Sequence, residues 1–352
     1  MGKGKHMGED FLTLLNDYDY VAPPELIAQQ PTRPRDGARL LVYDRAADAV
    51  TLDTFLHLDH YLPANAVLVL NDTRVIPARL LLRRVSGGQV EILYLARVAE
   101  GIRVMANKGL RVGEQLFFNS KIFFTVVRED DRFFILTPSM PPRELDLLFD
   151  RHGVVPLPPY IKNSPLRGKA LSFAYQTIFA RARGSIAAPT ASLHFTDRLF
   201  KKIQARGIAI KFVTLHVNLG TFAPLTEHAV QAKRLHEETY VIDRATADFL
   251  TLAKREGRPI VAVGTTVART LESASDEDGR LSRLRGETDL FICLGYQFKF
   301  VDSLVTNFHV PKSSLLMLVA ALVGREKLFA LYDRAIAERL RLFSFGDGMF
   351  IL

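Results

Sequence analysis

The sequence predicts an α/β protein in which a discontinuous α/β domain is interrupted by a small inserted β-rich domain, a β-barrel or a sandwich. Three observations carry this expectation. Beyond residue 196, strand-like and helix-like stretches alternate, the pattern of an α/β domain. Between residues 78 and 156 the chain is instead a succession of short β-like runs broken by turn signals. Short apolar strands before that block match the texture of those after it. The division expected is therefore 8–77 with 157–352 for the α/β domain and 78–156 for the insert. Residues 1–7 read as an artificial addition, with Met7 as the natural initiator.

In chain order, Leu40 to Val42 and Val67 to Leu70 read as short buried strands. The second runs into Asn71-Asp-Thr-Arg74, closed by Pro77. Strands are then expected at Val90 to Leu95, Leu116 to Phe118, Ile122 to Val127 and Phe133 to Thr137. Ser86 to Gly88, Arg111 to Gly113, Asn119-Ser120 and Glu129 to Asp131 supply turns, and Arg143 to Phe149 is helical. Pro156-Leu-Pro-Pro-Tyr160 is a stiff hinge, because neighbouring prolines fix φ and bar a helix. A helix from Thr196 to Ala205 has Thr196 as its N-cap and Gly207 as its stop. Ile208 to Leu215 is a strand, Ala245 to Glu256 a helix ended by Gly257, and Pro259 to Val263 and Leu290 to Leu294 are strands. Leu315 to Val323 is a buried helix capped by Ser313 or Ser314.

A chain of 352 residues, 48% hydrophobic and 24% charged, is an ordinary globular protein able to bury a large core in two or three domains. The net charge of +8 suits a polyanionic partner, because basic groups release counterions from a phosphate backbone. A single cysteine, Cys293, excludes an intramolecular disulfide and a cysteine metal cluster. No apolar run reaches the roughly 20 residues a bilayer requires, and no signal peptide opens the chain. A cytoplasmic location is expected.

Ligands of open α/β sheets bind beyond the carboxyl ends of strands, so polar residues that follow strands are weighed first. In Asn71-Asp72-Thr73-Arg74, Asp72 suits a base or a ribose-hydroxyl acceptor and Arg74 a bidentate anion clamp, with turn chemistry as the plainer account. Ala187 to Thr190 leads to His194-Phe195-Thr196: small residues admit a ligand, Phe195 can stack on a base, and His194 is equally a satisfied core histidine. His216 to Gly220-Thr221-Phe222 offers a tight turn; its spacing from His194 fits no metal pattern, so no metal is expected. Gly264-Thr265-Thr266 with Arg269 forms a generic anion or ribose cradle at a helix start. Tyr296, Asn307, His309, Lys312 and Asp347 lie in a C-terminal region where aromatic and basic residues interleave, as base stacking beside phosphate contacts requires.

At these clusters the chain resembles the S-adenosylmethionine:tRNA ribosyltransferase-isomerase family of queuosine biosynthesis. The matching stretches run in the family's order over essentially the whole chain. They include Asp19-Tyr20, Pro24 to Gln29, Arg35-Asp36, Arg39 to Val42, Val67 to Leu80 (VLVLNDTRVIPARL) and Pro156 to Ile161. Tyr175 to Thr177, Ala187 to Thr196, Thr214 to Phe222, Val261 to Ser273, Gly295 to Met317 and Phe343 to Ile351 complete them.

The resemblance implies an α/β domain interrupted by a barrel with the active site between them. It implies transfer and isomerisation of the ribosyl group of S-adenosylmethionine onto 7-aminomethyl-7-deazaguanine at the tRNA wobble position. Epoxyqueuosine-tRNA forms, and adenine and methionine leave. S-adenosylmethionine is consumed as a substrate, and no metal or other cofactor is implied. The targets would be tRNAs with GUN anticodons, and a monomer is expected.

Proton abstraction beside the sulfonium and departure of adenine make Asp72, His194, His216, His309 and Asp347 the catalytic candidates. Arg39, Arg74 and Arg269 suit the methionine carboxylate, and Phe195, Phe222 and Tyr296 suit flanking a base. Asn71, Thr73, Gly220, Thr221, Thr265, Thr266, Asn307 and Lys312 complete the binding candidates. Ser192, Asn218, Val267-Ala268, Cys293-Leu294, Phe345 and Gly348 depart from the family's usual residues. Competing readings are a non-catalytic tRNA-binding relative and an S-adenosylmethionine-dependent RNA methyltransferase, which would release S-adenosylhomocysteine.

Overall fold

The structure is a computed structural model describing residues 3–130, 133–218 and 225–352. Before the barrel come α1 (Lys3–Asn16), β1 (Arg39–Asp44), β2 (Ala49–Thr54), α2 (Leu58–Tyr61), β3 (Val67–Asn71) and β4 (Thr73–Val75). The barrel strands are β5 (Arg79–Arg84), β6 (Gln89–Val98), β7 (Gly101–Ala106), β8 (Gln115–Phe117), β9 (Phe123–Asp130) and β10 (Phe133–Pro138), followed by α3 (Pro142–His152). Then come α4 (Gly168–Ala174), β11 (Ala182–Ser185), α5 (Asp197–Ala205), β12 (Ala209–Leu215), α6 (Glu227–Ala232), β13 (Arg234–Val241) and α7 (Arg244–Arg255). The chain closes with β14 (Ile260–Val263), α8 (Thr265–Ala274), β15 (Arg285–Leu290), β16 (Ser303–Asn307), α9 (Ser314–Val323), α10 (Arg325–Ala337) and β17 (Gly348–Ile351).

Nine strands form one mixed sheet in the order β15-β13-β12-β3-β14-β16-β17-β1-β2. Its centre, β12-β3-β14-β16, is parallel. The central strands read as continuous apolar runs because both faces are covered. Period-two alternation sorts each strand between two cores. Val67 and Val69 of β3 face the core shared with α7 to α10, whereas Leu68 and Leu70 face the one shared with α2 and α5. Thr196 caps α5 by accepting from the Leu199 amide, and Ser313 caps α9 by accepting from the Leu316 amide, each satisfying an amide that the first turn leaves over.

The six barrel strands close in the order β10-β7-β6-β5-β8-β9 around Leu80, Leu82, Ile92, Val104, Phe124 and Leu136, with α3 plugging one end through Leu145, Leu148 and Phe149. Gly101 permits the close approach of β7 to β10, since a Cβ there would lie 2.2 Å from the Leu136 carbonyl oxygen. Arg79 and Val154 exchange amide hydrogen bonds of 3.0 and 2.8 Å, so the chain leaves the barrel beside its point of entry.

Two expected elements differ. The strand expected at Leu290 to Leu294 lies earlier, at Arg285–Leu290, and Phe291 to Leu294 are irregular. Among the described residues Phe291 to Leu294 pair with no strand, whereas the more polar Arg285–Leu290 pairs with β13. Glu129 and Asp130, expected in a turn, continue β9 and pair with Phe134 and Phe133; the turn's third residue, Asp131, lies outside the described residues. The central strand β16 and the C-terminal β17 had no separate strand expectation.

Candidate active site

All four central parallel strands end at the same edge of the sheet, and a cavity of about 370 Å³ opens there. Its floor is Gly264 to Thr266, after β14, and Thr306 to His309, at the end of β16. Ala187 to Ala191 and Val217 form one wall; Pro311 to Ser313, Tyr160 and Phe343-Ser344 form the other. Small residues at 187, 188 and 191 keep the space open, and Tyr160 packs against Phe343 with ring centroids 4.9 Å apart. Tyr160 donates or accepts at Ser344 Oγ, 2.6 Å away, and burial pushes its phenol up to about 12. No aspartate or glutamate lines this cavity, and Lys312 is the one charged side chain on its wall among the described residues.

Gly264, at φ +91°, makes the turn that starts α8. A Cβ at that position would stand 3.5 Å from Thr266 Oγ1 and 3.7 Å from the Ala191 methyl, in a backbone conformation that L residues rarely adopt. The amides of Val267 and Ala268 return to the Gly264 carbonyl. The amides of Thr265 and Thr266, as first-turn donors, have no intrahelical acceptor. The Ser313-capped start of α9 meets the same cavity through Leu315, so two helix N-termini lend it positive potential.

His309 lines the cavity, with Nε2 2.8 Å from Thr306 Oγ1 and its amide donating to Tyr332 Oη. Burial lowers its pKa to about 3, so the imidazole is neutral at pH 7. His194 lies behind Asn307: Asn307 Nδ2 reaches its Nε2 at 3.4 Å, and Phe55 stacks on its ring at 4.0 Å. Burial first, and the nearby Arg341 charge second, lower His194 to about 3 as well. Gly348 leaves room for that Phe55 ring, because a Cβ there would stand 2.6 Å from it.

The structure thus brings together Thr265, Thr266, Asn307, His309 and Lys312, with His194 adjoining. Other candidates sit apart. Asn71 ties β3 to β12 through the Leu215 amide and carbonyl, and Thr73 Oγ1 pairs with His216 Nδ1 at 2.8 Å. His216, its pKa lowered by burial, lies under Gly184 in a cleft between sheet and barrel that Tyr94 and Arg97 also line. Asp72 is buried, held by Arg181 and by Thr214 Oγ1, and Arg74 is exposed on β4.

Phe195 is sealed in the core beside Phe200. Arg39 donates to the Glu338 carbonyl at 2.6 Å. Arg269 is buried in an ion pair with Glu238 and bonds the Leu290 and Thr288 carbonyls. Tyr296 donates to Glu272 at 3.1 Å, away from the cavity. Both carboxylate oxygens of Asp347 accept backbone amides, from Arg39 at 2.9 Å and Arg341 at 2.7 Å. Gly220, Thr221 and Phe222 lie outside the described residues.

Tyr160, Thr306 and Ser344 line the site without having been candidates. Tyr160 was read only as the end of a proline hinge, and nothing in its neighbours' spacing ties it to Ser344, 184 residues away. Among the described residues, no group of three or more His, Cys, Asp or Glu is placed to hold a metal ion. No described helix is long and apolar enough to cross a membrane.

Residues 15–351 match the model of a family described as queuosine biosynthesis protein. The chain is 44% identical over 344 residues to the S-adenosylmethionine:tRNA ribosyltransferase-isomerase of Geotalea uraniireducens (strain Rf4), covering 96% of this chain and 99% of that protein. It is 41% identical, with the same coverage, to the protein of that name from Clostridium kluyveri (strain NBRC 12016). The crystal structure of an S-adenosylmethionine tRNA ribosyltransferase from Thermotoga maritima aligns with a TM-score of 0.54 at 34% identity, over 96% of this chain and all of that one.

Proposed function

Because the chain belongs to the queuosine biosynthesis protein family, we propose that the cavity at the sheet edge is where it consumes S-adenosylmethionine. The activity is that of an S-adenosylmethionine:tRNA ribosyltransferase-isomerase, a transferase acting on tRNA. The ribosyl group passes to the aminomethyl group of 7-aminomethyl-7-deazaguanine and is rearranged, giving epoxyqueuosine-tRNA, adenine and methionine. The observation that carries this is likeness over nearly the full length of both chains at above 40% identity. S-adenosylmethionine and tRNA are its substrates; GUN anticodons, a monomeric state, a cytoplasmic location and independence from any added cofactor are our reading of the family resemblance.

We divide the chain into 8–77 with 157–352 and the insert 78–156, and place RNA along the cleft between them. Arg74 and the arginines lining that cleft supply phosphate contacts there. The target base lies in a loop, where little stacking opposes its entry into a pocket.

Within the cavity, Thr265, Thr266, Asn307 and Lys312 hold the donor, and His309, with His194 behind it, faces the chemistry. An imidazole held at about pKa 3 is a poor general base at neutral pH. Its neutral form serves better as a hydrogen-bonding group for the departing adenine, leaving proton removal to the substrate's own amine. Asp72, His216 and Asp347 act by positioning backbone and neighbours. The test is incubation without metal of the protein, S-adenosylmethionine labelled in the adenine ring, and tRNA carrying 7-aminomethyl-7-deazaguanine. Free adenine together with a heavier anticodon nucleoside is expected; S-adenosylhomocysteine would mean methyl transfer instead.

A further inference from the structure

Among the described residues, two buried polar side-chain atoms of residues that line the cavity have no partner, Thr266 Oγ1 and Asn307 Oδ1. Their residues are 8% and 2% exposed, so neither is hydrated freely. A buried polar atom left unpaired costs on the order of 1–3 kcal/mol, so each is a place where a ligand gains. The Asn307 amide is oriented from behind: Nδ2 donates to the Phe343 carbonyl at 3.2 Å and the Asp347 carbonyl at 3.4 Å. Oδ1 is therefore a lone acceptor, suited to an N–H donor. Thr266 is the second residue of α8, where its hydroxyl joins the free amides of Thr265 and Thr266 at the positive end of a ten-residue helix. The wall thus pairs an anion-binding corner with an isolated acceptor.

An α-amino acid end carries the complementary groups, a carboxylate and an ammonium on one carbon. Resting on the function proposed above, we infer that the methionyl end of S-adenosylmethionine seats here. Its carboxylate lies on the first turn of α8 and Thr266 Oγ1, and its ammonium donates to Asn307 Oδ1. Both groups survive in the released methionine. Free L-methionine therefore occupies the same corner and inhibits the enzyme in competition with S-adenosylmethionine, coupling ribosyl transfer to methionine level. The adenine and ribose take the remaining, more apolar space toward Tyr160 and Phe343.

The experiment compares S-adenosylmethionine, its decarboxylated analogue and L-methionine by titration calorimetry on the wild-type protein and on Thr266→Val, which keeps the volume and removes the hydroxyl. A wild type that binds the decarboxylated analogue at least about tenfold more weakly, with that gap narrowed by Thr266→Val and kept by Thr266→Ser, is expected, since a hydrogen bond to a charged group contributes about 1.5–3 kcal/mol. Competitive inhibition of adenine release by L-methionine is expected alongside. Equal binding of the two donors by wild type that still releases adenine from S-adenosylmethionine in the presence of the modified tRNA would overturn this inference alone. An unchanged donor ratio in Thr266→Val with weakened binding of an anticodon stem-loop would give the corner to an RNA phosphate and overturn it too. Wild type that yields no adenine with the modified tRNA would strike at the enzymatic reading, a separate failure.

Discussion

Arg269 was read from sequence as a carboxylate clamp, and the structure makes it a structural ion. Its side chain is 8% exposed and that of Glu238 2%, and the guanidinium also bonds two carbonyls, at 3.1 and 3.2 Å. Arg269→Ala leaves the Glu238 carboxylate buried with only part of its set, including the Asn218 amide at 3.1 Å. Breaking a buried pair from one side costs about 3–5 kcal/mol. At about 2–4 °C per kcal/mol for a domain of this class, the melting temperature falls by roughly 6–20 °C. Differential scanning calorimetry reads this directly. Arg269→Met with Glu238→Leu removes both charges and fills their space, and recovers most of the loss, because apolar replacement of a buried pair is often neutral or better. A single mutant melting within about 2 °C of wild type, with the KM for S-adenosylmethionine raised, would refute the reasoning and make Arg269 a donor ligand.

His194 and His309 titrate near 3 when folded but at their ordinary value of 6.5 when unfolded, so the unfolded chain binds more protons in that window; stability falls as pH drops from 6.5 toward 3. His309→Gln flattens the dependence of melting temperature on pH, and an unaltered slope would mean the ring is hydrated. Asp347→Asn sets an amide NH2 against one of two backbone donors and lowers stability by about 1–3 kcal/mol with less than about tenfold loss of kcat; a loss of about a hundredfold or more at unchanged melting temperature would place Asp347 at the reacting atoms instead. Gly348→Ala drives a methyl into the Phe55 ring that stacks on His194, costing about 1–3 kcal/mol, and Phe55→Leu relieves it; failure of that rescue, measured by thermal unfolding, would place the strain elsewhere.

Fold class was legible in this chain because the signals are local. Continuous apolar runs at Val67–Asn71 and Ile260–Val263, caps at Thr196 and Ser313, and glycine stops at 207 and 257 each act within a few residues. The dense turns from Ser86 onward indicated a small barrel or sandwich for the same reason, and strand pairing made it a closed barrel. The family, too, was legible, in the order of short motifs along the chain.

Which motif residues share a cavity was decided by strand order alone. Parallel pairing of β14 with β16 sets Gly264 beside Asn307, and the return of the C-terminal segment sets Ser344 against Tyr160. Arg269, Phe195 and Asp347 are of residue types able to bind a ligand, yet burial, an ion pair and backbone amides already occupy them. Residue type states what a group is able to bind, and only the packed chain settles whether a protein partner has reached it first.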